Sequence, residues 1–305
     1  MAISNPECIV CHSKETIPYP PKYVEGKLWR CQDCGLRFVH PQPSATDLAA
    51  LYDESYFRSP DSGQRGYGDY EGDRSNIERS FRRRWERLQP LCPGSGRLLD
   101  VGCAYGFFLN VAAEAGWEVH GLDISSHAVE FARRTYGDRV HRGTFLDAEL
   151  PEGRFDLITM WDYLEHSLDP KADLVKAHRL LTDDGVLALT TSDATSLPAK
   201  VMRHRWMGFK LEEHLCFFSR DTMRRLLADV GFQTKGIRYD GKFITLDMFL
   251  QRLGAYAPLL NHLVEPLMKR KIVPSLSFYA NPRDIIMVLA QKSAPALTGD
   301  RHRRN

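Results

Sequence analysis

One stretch constrains this chain more than any other: Leu98-Leu99-Asp100-Val101-Gly102-Cys103-Ala104-Tyr105-Gly106-Phe107-Phe108-Leu109. A short apolar run ends in an acid, crosses a loop of small residues and enters a helical pattern. That is the strand–glycine loop–helix turn of a nucleotide-binding α/β fold. Gly102 and Gly106 can adopt backbone angles closed to other residues, so a ligand can approach the main chain. The helix that follows at once offers its free N–H groups to the same pocket. A dinucleotide fingerprint would read Gly-x-Gly-x-x-Gly, whereas this loop reads Gly102-x-Ala104-x-Gly106. Asp100 would repel a pyrophosphate and suits a ligand that carries an amino group.

Downstream of Arg97, strands and helices alternate, which predicts a parallel sheet covered by helices on both faces. The expected strands end at Asp100 and Asp123 and then cover Val140 to Gly143, Phe155 to Met160, Val186 to Thr190, Thr234 to Tyr239 and Ile285 to Ala290. Asp123 follows Asp100 by 23 residues, a place where an acid can accept hydrogen bonds from both ribose hydroxyls. Upstream, Cys8-x-x-Cys11 and Cys31-x-x-Cys34 are separated by 19 residues. Two such knuckles form a tetrahedral zinc site, and four sulfur ligands leave no open position for chemistry. A hairpin around Glu25-Gly26 joins them. Cys92, Cys103 and Cys216 are expected to be free thiols.

Four regions are expected: a zinc ribbon over 1–43, a helical linker and possible lid over 44–92, the α/β domain over 93–295, and a disordered tail over 296–305. Thr46 to Phe57 reads as a helix, 59–73 as a loop, and Ser75 to Leu88 as a helix whose Arg82-Arg83-Arg84 run forms a solvated face. Ser219 is placed to cap a helix over Arg220 to Asp229. A helical insertion near 243–278 packs on the domain or a second subunit, or touches a membrane surface through the basic amphipathic piece at 256–271.

The Asp100–Gly106 loop resembles motif I of the class I S-adenosylmethionine-dependent methyltransferases, in the form Asp-x-Gly-x-(Gly/Ala)-x-Gly. Phe155-Asp156 through Leu164-Glu165-His166 to Asp169-Pro170, with Leu180-Leu181 through Gly185, looks like the ubiquinone-biosynthesis type of that family. The ribbon and the Pro41-x-Pro43 to Tyr52 stretch are similar to zinc-ribbon methyltransferases, including the sugar C-methyltransferases. The resemblance implies a Rossmann-like sheet and S-adenosylmethionine as cofactor. Gly102, Cys103, Ala104 and Gly106 would hold its methionine end, Asp100 its ammonium, and Asp123 with Ile124 the ribose. Phe145, Asp147 and Trp161 would rim the adenine.

Glu213-His214 before Leu215-Cys216-Phe217-Phe218-Ser219 resembles the Glu-His-x-x-x-Phe-Ser segment of the same family. There the histidine of the sugar C-methyltransferases moves a proton; Leu211 stands here in place of their tyrosine. His214 is the first candidate for a base, with the near-neutral pKa that suits proton removal, or else a positioning group. Glu213 and His166 complete the catalytic set. The expected acceptor is a small molecule, a sugar, polysaccharide precursor or natural-product intermediate, methylated on oxygen or carbon. Three alternatives have their own signatures. An RNA methyltransferase would show a basic face that a net charge of +2 does not suggest, an NAD enzyme is disfavoured by the loop spacing, and a non-catalytic binder would dispense with His214. The chain lacks an apolar run of about 18 residues and an N-terminal signal segment, so it is expected in the cytoplasm.

Overall fold

A computed structural model describes residues 5–19, 27–59, 66–92, 94–250 and 276–293. The expected hairpin at Glu25-Gly26, the 256–271 segment and the 296–305 tail lie outside these. The chain opens with a small antiparallel meander, β1 (Thr16–Pro18), β2 (Leu28–Cys31) and β3 (Arg37–Val39). Two short helices follow, α1 (Ala45–Leu51) and α2 (Glu54–Phe57), where a single helix was expected. The break has a local cause. Ser44 caps α1 in a reciprocal pair with Asp47, and Asp53 then starts a new helix by accepting from the Tyr56 N–H.

Helix α3 (Arg74–Leu88) leads into the large sheet. Its strands and helices are β4 (Arg97–Val101), α4 (Phe107–Glu114), β5 (Glu118–Asp123), α5 (Ser126–Tyr136), β6 (Val140–Arg142), β7 (Phe155–Trp161), α6 (Pro170–Leu180) and β8 (Leu181–Ser192). After α7 (Leu197–Met202), the two-residue β9 (Cys216–Phe217) and α8 (Arg220–Asp229), two long strands close the fold, β10 (Phe232–Thr245) and β11 (Ser277–Lys292). The first five strands of the large sheet, β4 to β8, are parallel. β11 inserts antiparallel between β8 and β10, giving the order β10-β11-β8-β7-β4-β5-β6. The last two strands therefore run well past their expected limits, and 243–245 and 277–278 belong to them rather than to the insertion.

The two faces of the sheet read directly off the strand period of two. Leu99, Val101, Ile158, Met160, Leu187 and Leu189 point into one core, with Leu174, Leu180, Met223 and Leu226 of α6 and α8. Leu98, Leu157, Val186 and Ala188 point into the other, against α3, α4 and α5. Burial on both faces is why these strands are continuous apolar runs. The cysteine module sits on the first face. Cys8, Cys31, Cys34, Leu36 and Phe38 are buried in the same core as Leu164, Leu215 and Met223, and β3 pairs with β9, making a four-stranded sheet.

The Arg82-Arg83-Arg84 run is not a uniformly solvated face. Arg84 is 2% exposed and its Nε donates to Asp240 Oδ2 at 2.8 Å, while Arg87 donates to Oδ1 of the same acid at 2.5 Å. Asp240, on β10, is 1% exposed, so α3 is tied to the distal strands by a desolvated charge cluster. Removing one partner from such a cluster leaves an uncompensated buried charge. Asp240→Ala is expected to destabilise the protein by about 3–5 kcal/mol, seen as a lowered urea midpoint; a midpoint within error of wild type would contradict this.

Candidate active site

A cavity of about 410 Å³ opens at the carboxyl ends of β4, β5 and β7. At one end lies the loop after β4. Gly102 (φ 75°), Ala104 (φ 47°) and Gly106 (φ 76°) are all left-handed, a region alanine enters only under constraint. A Cβ at Gly102 would also meet the Tyr163 ring at 3.0 Å. The constraint on Ala104 is its N–H, which donates to Asp123 Oδ2 at 2.8 Å; the Ser125 N–H donates to Oδ1 at 2.8 Å. Asp100, 2% exposed, accepts from Thr159 Oγ1 at 2.6 Å. Burial pushes its pKa up to about 8, and a bound ammonium group would pull it back down.

Of the residues expected to meet the cofactor, Asp100, Gly102, Cys103, Ala104, Asp123, Ile124, Phe145, Asp147 and Trp161 line this cavity. Gly106 does not. It stands one position before α4 and its left-handed turn starts that helix. Phe145 is 1% exposed and Asp147 is held at the rim by Thr144 Oγ1 at 2.6 Å.

The wall that runs on from Asp100 was largely unannounced by sequence. Arg84 lies over Phe81 and Trp161, 5.5 and 5.2 Å from the ring centroids, and its Nη2 is buried without a hydrogen-bond partner. Lys242 donates to Asp162 Oδ2 at 2.6 Å, and Thr190 Oγ1 to Oδ1 at 2.9 Å. Although burial opposes ionisation, Lys242 and Arg84 hold the Asp162 carboxyl well below the usual range. Ile77, Phe243, Ile244 and Met248 also line the cavity, as do Tyr52, Tyr56, Tyr67 and Tyr70 from the 44–92 region. The density of tyrosine between 52 and 70 was the one available signal for that wall.

His166 lines the cavity, whereas Glu213 and His214 do not. His166 Nδ1–H donates to the Glu213 carbonyl at 2.8 Å, with Tyr52 Oη 2.9 Å from the same nitrogen. His214 Nδ1–H donates to the Gly208 carbonyl at 2.8 Å, and its ring stands edge-on to His166, centroids 4.7 Å apart. Each imidazole thus keeps Nε2 as an acceptor. Burial, then the neighbouring His166, push the His214 pKa down to about 3, so the expected near-neutral value is not met; His166 is lowered by burial. The Glu213 carboxylate is bonded to other groups, though its charge opposes the lowering of both imidazoles. It accepts from Tyr56 Oη at 2.7 Å, from the Gly66 N–H at 3.2 Å, and from Lys210 Nζ at 3.1 Å. Glu165, 2% exposed with an unpartnered oxygen, offers one ligating atom within 4.8 Å of those of His166 and His214, a set that could hold a divalent cation.

The four module cysteines also cluster. Cys8 and Cys34 Sγ are 3.6 Å apart, Cys11 and Cys31 Sγ 3.5 Å, and all four lie within 4.8 Å of one another. A tetrahedron with zinc–sulfur bonds of about 2.3 Å has edges of about 3.8 Å, so the donor set fits zinc.

The parallel sheet with β11 turned antiparallel beside the last parallel strand, the left-handed glycine loop and the acids closing β4 and β5 define a class I S-adenosylmethionine-dependent methyltransferase. A family model described as a methyltransferase domain matches residues 74–235, just over half of the chain, and the chain belongs to that family. Among curated proteins, it is similar to the ubiquinone biosynthesis O-methyltransferase of Actinobacillus pleuropneumoniae serotype 5b. Identity is 34% over 113 residues, 32% of this chain and 47% of that protein. The enzyme of the same name from Bradyrhizobium diazoefficiens is 26% identical over 162 residues, 50% of this chain and 63% of its own. The chain spans about half the length of the curated relatives it matches. A solved S-adenosylmethionine-dependent methyltransferase from Archaeoglobus fulgidus shares the fold at 19% identity, with a TM-score of 0.50, over 73% of this chain and 98% of that one. No helix among the described residues is long and apolar enough to cross a membrane.

A histidine whose folded pKa is depressed adds stability that is whole above its unfolded pKa of about 6.5 and is lost as pH falls towards the folded value. His214 is expected to stay neutral on the folded protein down to about pH 4. Ring NMR showing a His214 midpoint near 6.5 would refute it.

Proposed function

We propose that this protein transfers the methyl group of S-adenosylmethionine to a hydroxyl of a small acceptor with a substantial apolar face. One observation carries the reading: a single cavity joins the glycine loop and Asp123 at one end to an apolar chamber beside His166 at the other. Its walls suit a ring-bearing acceptor better than a highly polar sugar, and a net charge of +2 favours a small molecule over RNA. The names of the curated relatives support oxygen as the methylated atom.

The cofactor supplies an electrophilic methyl group on a sulfonium; placement is the task of the chain. The loop over Gly102 to Ala104 and Asp100 would hold the amino-acid end, Asp123 the ribose, and Phe145 with Asp147 the adenine. Arg84, whose charge reaches Asp100, would take the methionine carboxylate beside it. Its cluster sets three cations, Arg84, Arg87 and Lys242, against two acids, Asp240 and Asp162, and leaves Nη2 free. His166, with Nε2 available, accepts the acceptor's proton, and His214 braces its ring. We further infer that Cys8, Cys11, Cys31 and Cys34 hold one structural zinc.

Calorimetry with S-adenosylhomocysteine tests the cofactor end. Asp123→Ala is expected to weaken binding by about 2–3 kcal/mol, since the lost hydrogen bonds involve a charged group. Arg84→Lys, which keeps the charge but loses the planar fork, should weaken it by about tenfold. Unchanged affinity in both, or tight binding of NAD by the wild type, would defeat the proposal.

A further inference from the structure

The cysteine module contributes no residue to the cavity wall, but it is bonded to a segment that holds His166. β9 is two residues long, and its antiparallel pairing is with β3, Arg37 opposite Phe217 and Phe38 opposite Cys216. The Val39 N–H donates to the Leu215 carbonyl at 2.9 Å. On its other side the same segment meets the turn that carries His166. The Leu215 N–H donates to the Glu165 carbonyl at 2.7 Å, Cys216 Sγ lies 3.6 Å from the Ser167 carbonyl, and the Glu213 carbonyl receives His166 Nδ1–H. Residues 213–217 are therefore clasped between the module and the 164–167 turn. The second cysteine knuckle is fastened to α8 as well, by Arg225 donating to the Asp33 carbonyl and Thr222 Oγ1 to the Cys34 carbonyl.

A two-residue strand has no stability of its own; β9 is held by β3 on one side, and at its end by the Ala194 N–H, which donates to the Phe218 carbonyl at 2.9 Å. β3 in turn belongs to a module too small to keep a core unless its thiolates share a metal. The groups that would receive the cofactor, at Gly102, Asp123 and Phe145, stand after β4, on β5 and after β6; these share a core with the module through Phe145 and Leu122 but have no strand pairing with it.

We infer that the metal-loaded cysteine module is a positioning element for His166: through β3 and β9 it sets the register of Glu213 to Phe217, whose carbonyl at 213 orients the imidazole. The inference rests on the proposed methyl transfer only for its effect on rate. Loss of the metal then loosens the acceptor end of the cavity while the cofactor end keeps its affinity.

The test compares the full-length wild type, the wild type treated with a zinc chelator, Cys31→Ser and Val39→Pro. The proline variant keeps all four thiolates and removes the N–H that holds Leu215. Zinc content, amide hydrogen exchange over 213–217, the His166 ring resonances and calorimetric affinity for S-adenosylhomocysteine are measured on each. Chelation and Cys31→Ser are expected to remove the metal, raise exchange over 213–217 at least tenfold and shift the His166 signals. Val39→Pro should give the same exchange and His166 changes with zinc retained. Affinity for S-adenosylhomocysteine should stay within about twofold throughout, and turnover should fall at least tenfold without a change in KM for the cofactor.

Unchanged exchange and His166 signals after metal loss would overturn the inference, as would a wild type that holds no metal yet protects 213–217. Loss of cofactor affinity in step with the exchange would overturn it too, making the module a general folding aid. Exchange and His166 signals are read whether or not methyl transfer occurs, so a failure of the proposed reaction is distinguishable from a failure of the coupling.

Discussion

The site depends first on how Asp123 is held. Its carboxylate caps the end of β5, and its two oxygens accept the N–H groups of Ala104 and Ser125. One acid thereby fixes the loop after β4 and the start of α5 together. The Ala104 hydrogen bond stabilises a left-handed conformation that alanine would otherwise leave, a strain of the kind that persists only where surrounding structure enforces it. Because the oxygens retain unused lone pairs, the group that builds the crevice can also bind what enters it.

Charge is distributed unevenly along this crevice. At the loop end, burial raises Asp100 and Asp123, so these acids are poised to accept a cation. Further along, Lys242 and Arg84 keep Asp162 ionised, while Glu165, buried close by, is pushed up to about 8. Such opposed shifts within one cavity mark a site arranged for a ligand with separated charges. His166 lines the same cavity with His214 behind it, both kept neutral by burial and fixed in tautomer by backbone carbonyls.

Much of this was legible in the residues because the signals are local. Asp100 to Gly106 declares its turn through glycine spacing, the strands through apolar runs, Ser219 through its capping place, and the cysteines through their pairing. What could not be read depends on residues far apart in sequence. Arg84 looks like its neighbours Arg82 and Arg83; only Asp240, 156 residues away, makes it a core residue. Nothing in Phe38 or Cys216 announces that they pair. The His214 pKa is set by its enclosure and by His166, and a single residue type carries neither fact. The break after α1 was readable in principle, since Asp53 is a good cap, but the apolar spacing ran across it.

The order of the strands has a consequence for how the protein comes to be folded. β10 is synthesised before β11, yet β11 lies between it and β8, so β10 has no place in the large sheet until the later strand arrives. Asp240 sits on β10, and its arginine partners on α3 emerge long before it. During synthesis the amino-terminal half therefore carries a cationic helix face whose counter-ion is still to be made. Contacts of this sequence separation form late because a long loop must close first. The parallel half, with the glycine loop and Asp123 on β4, β5 and their loops, is complete in sequence well before β10 brings Lys242, Phe243 and Ile244 to the cavity.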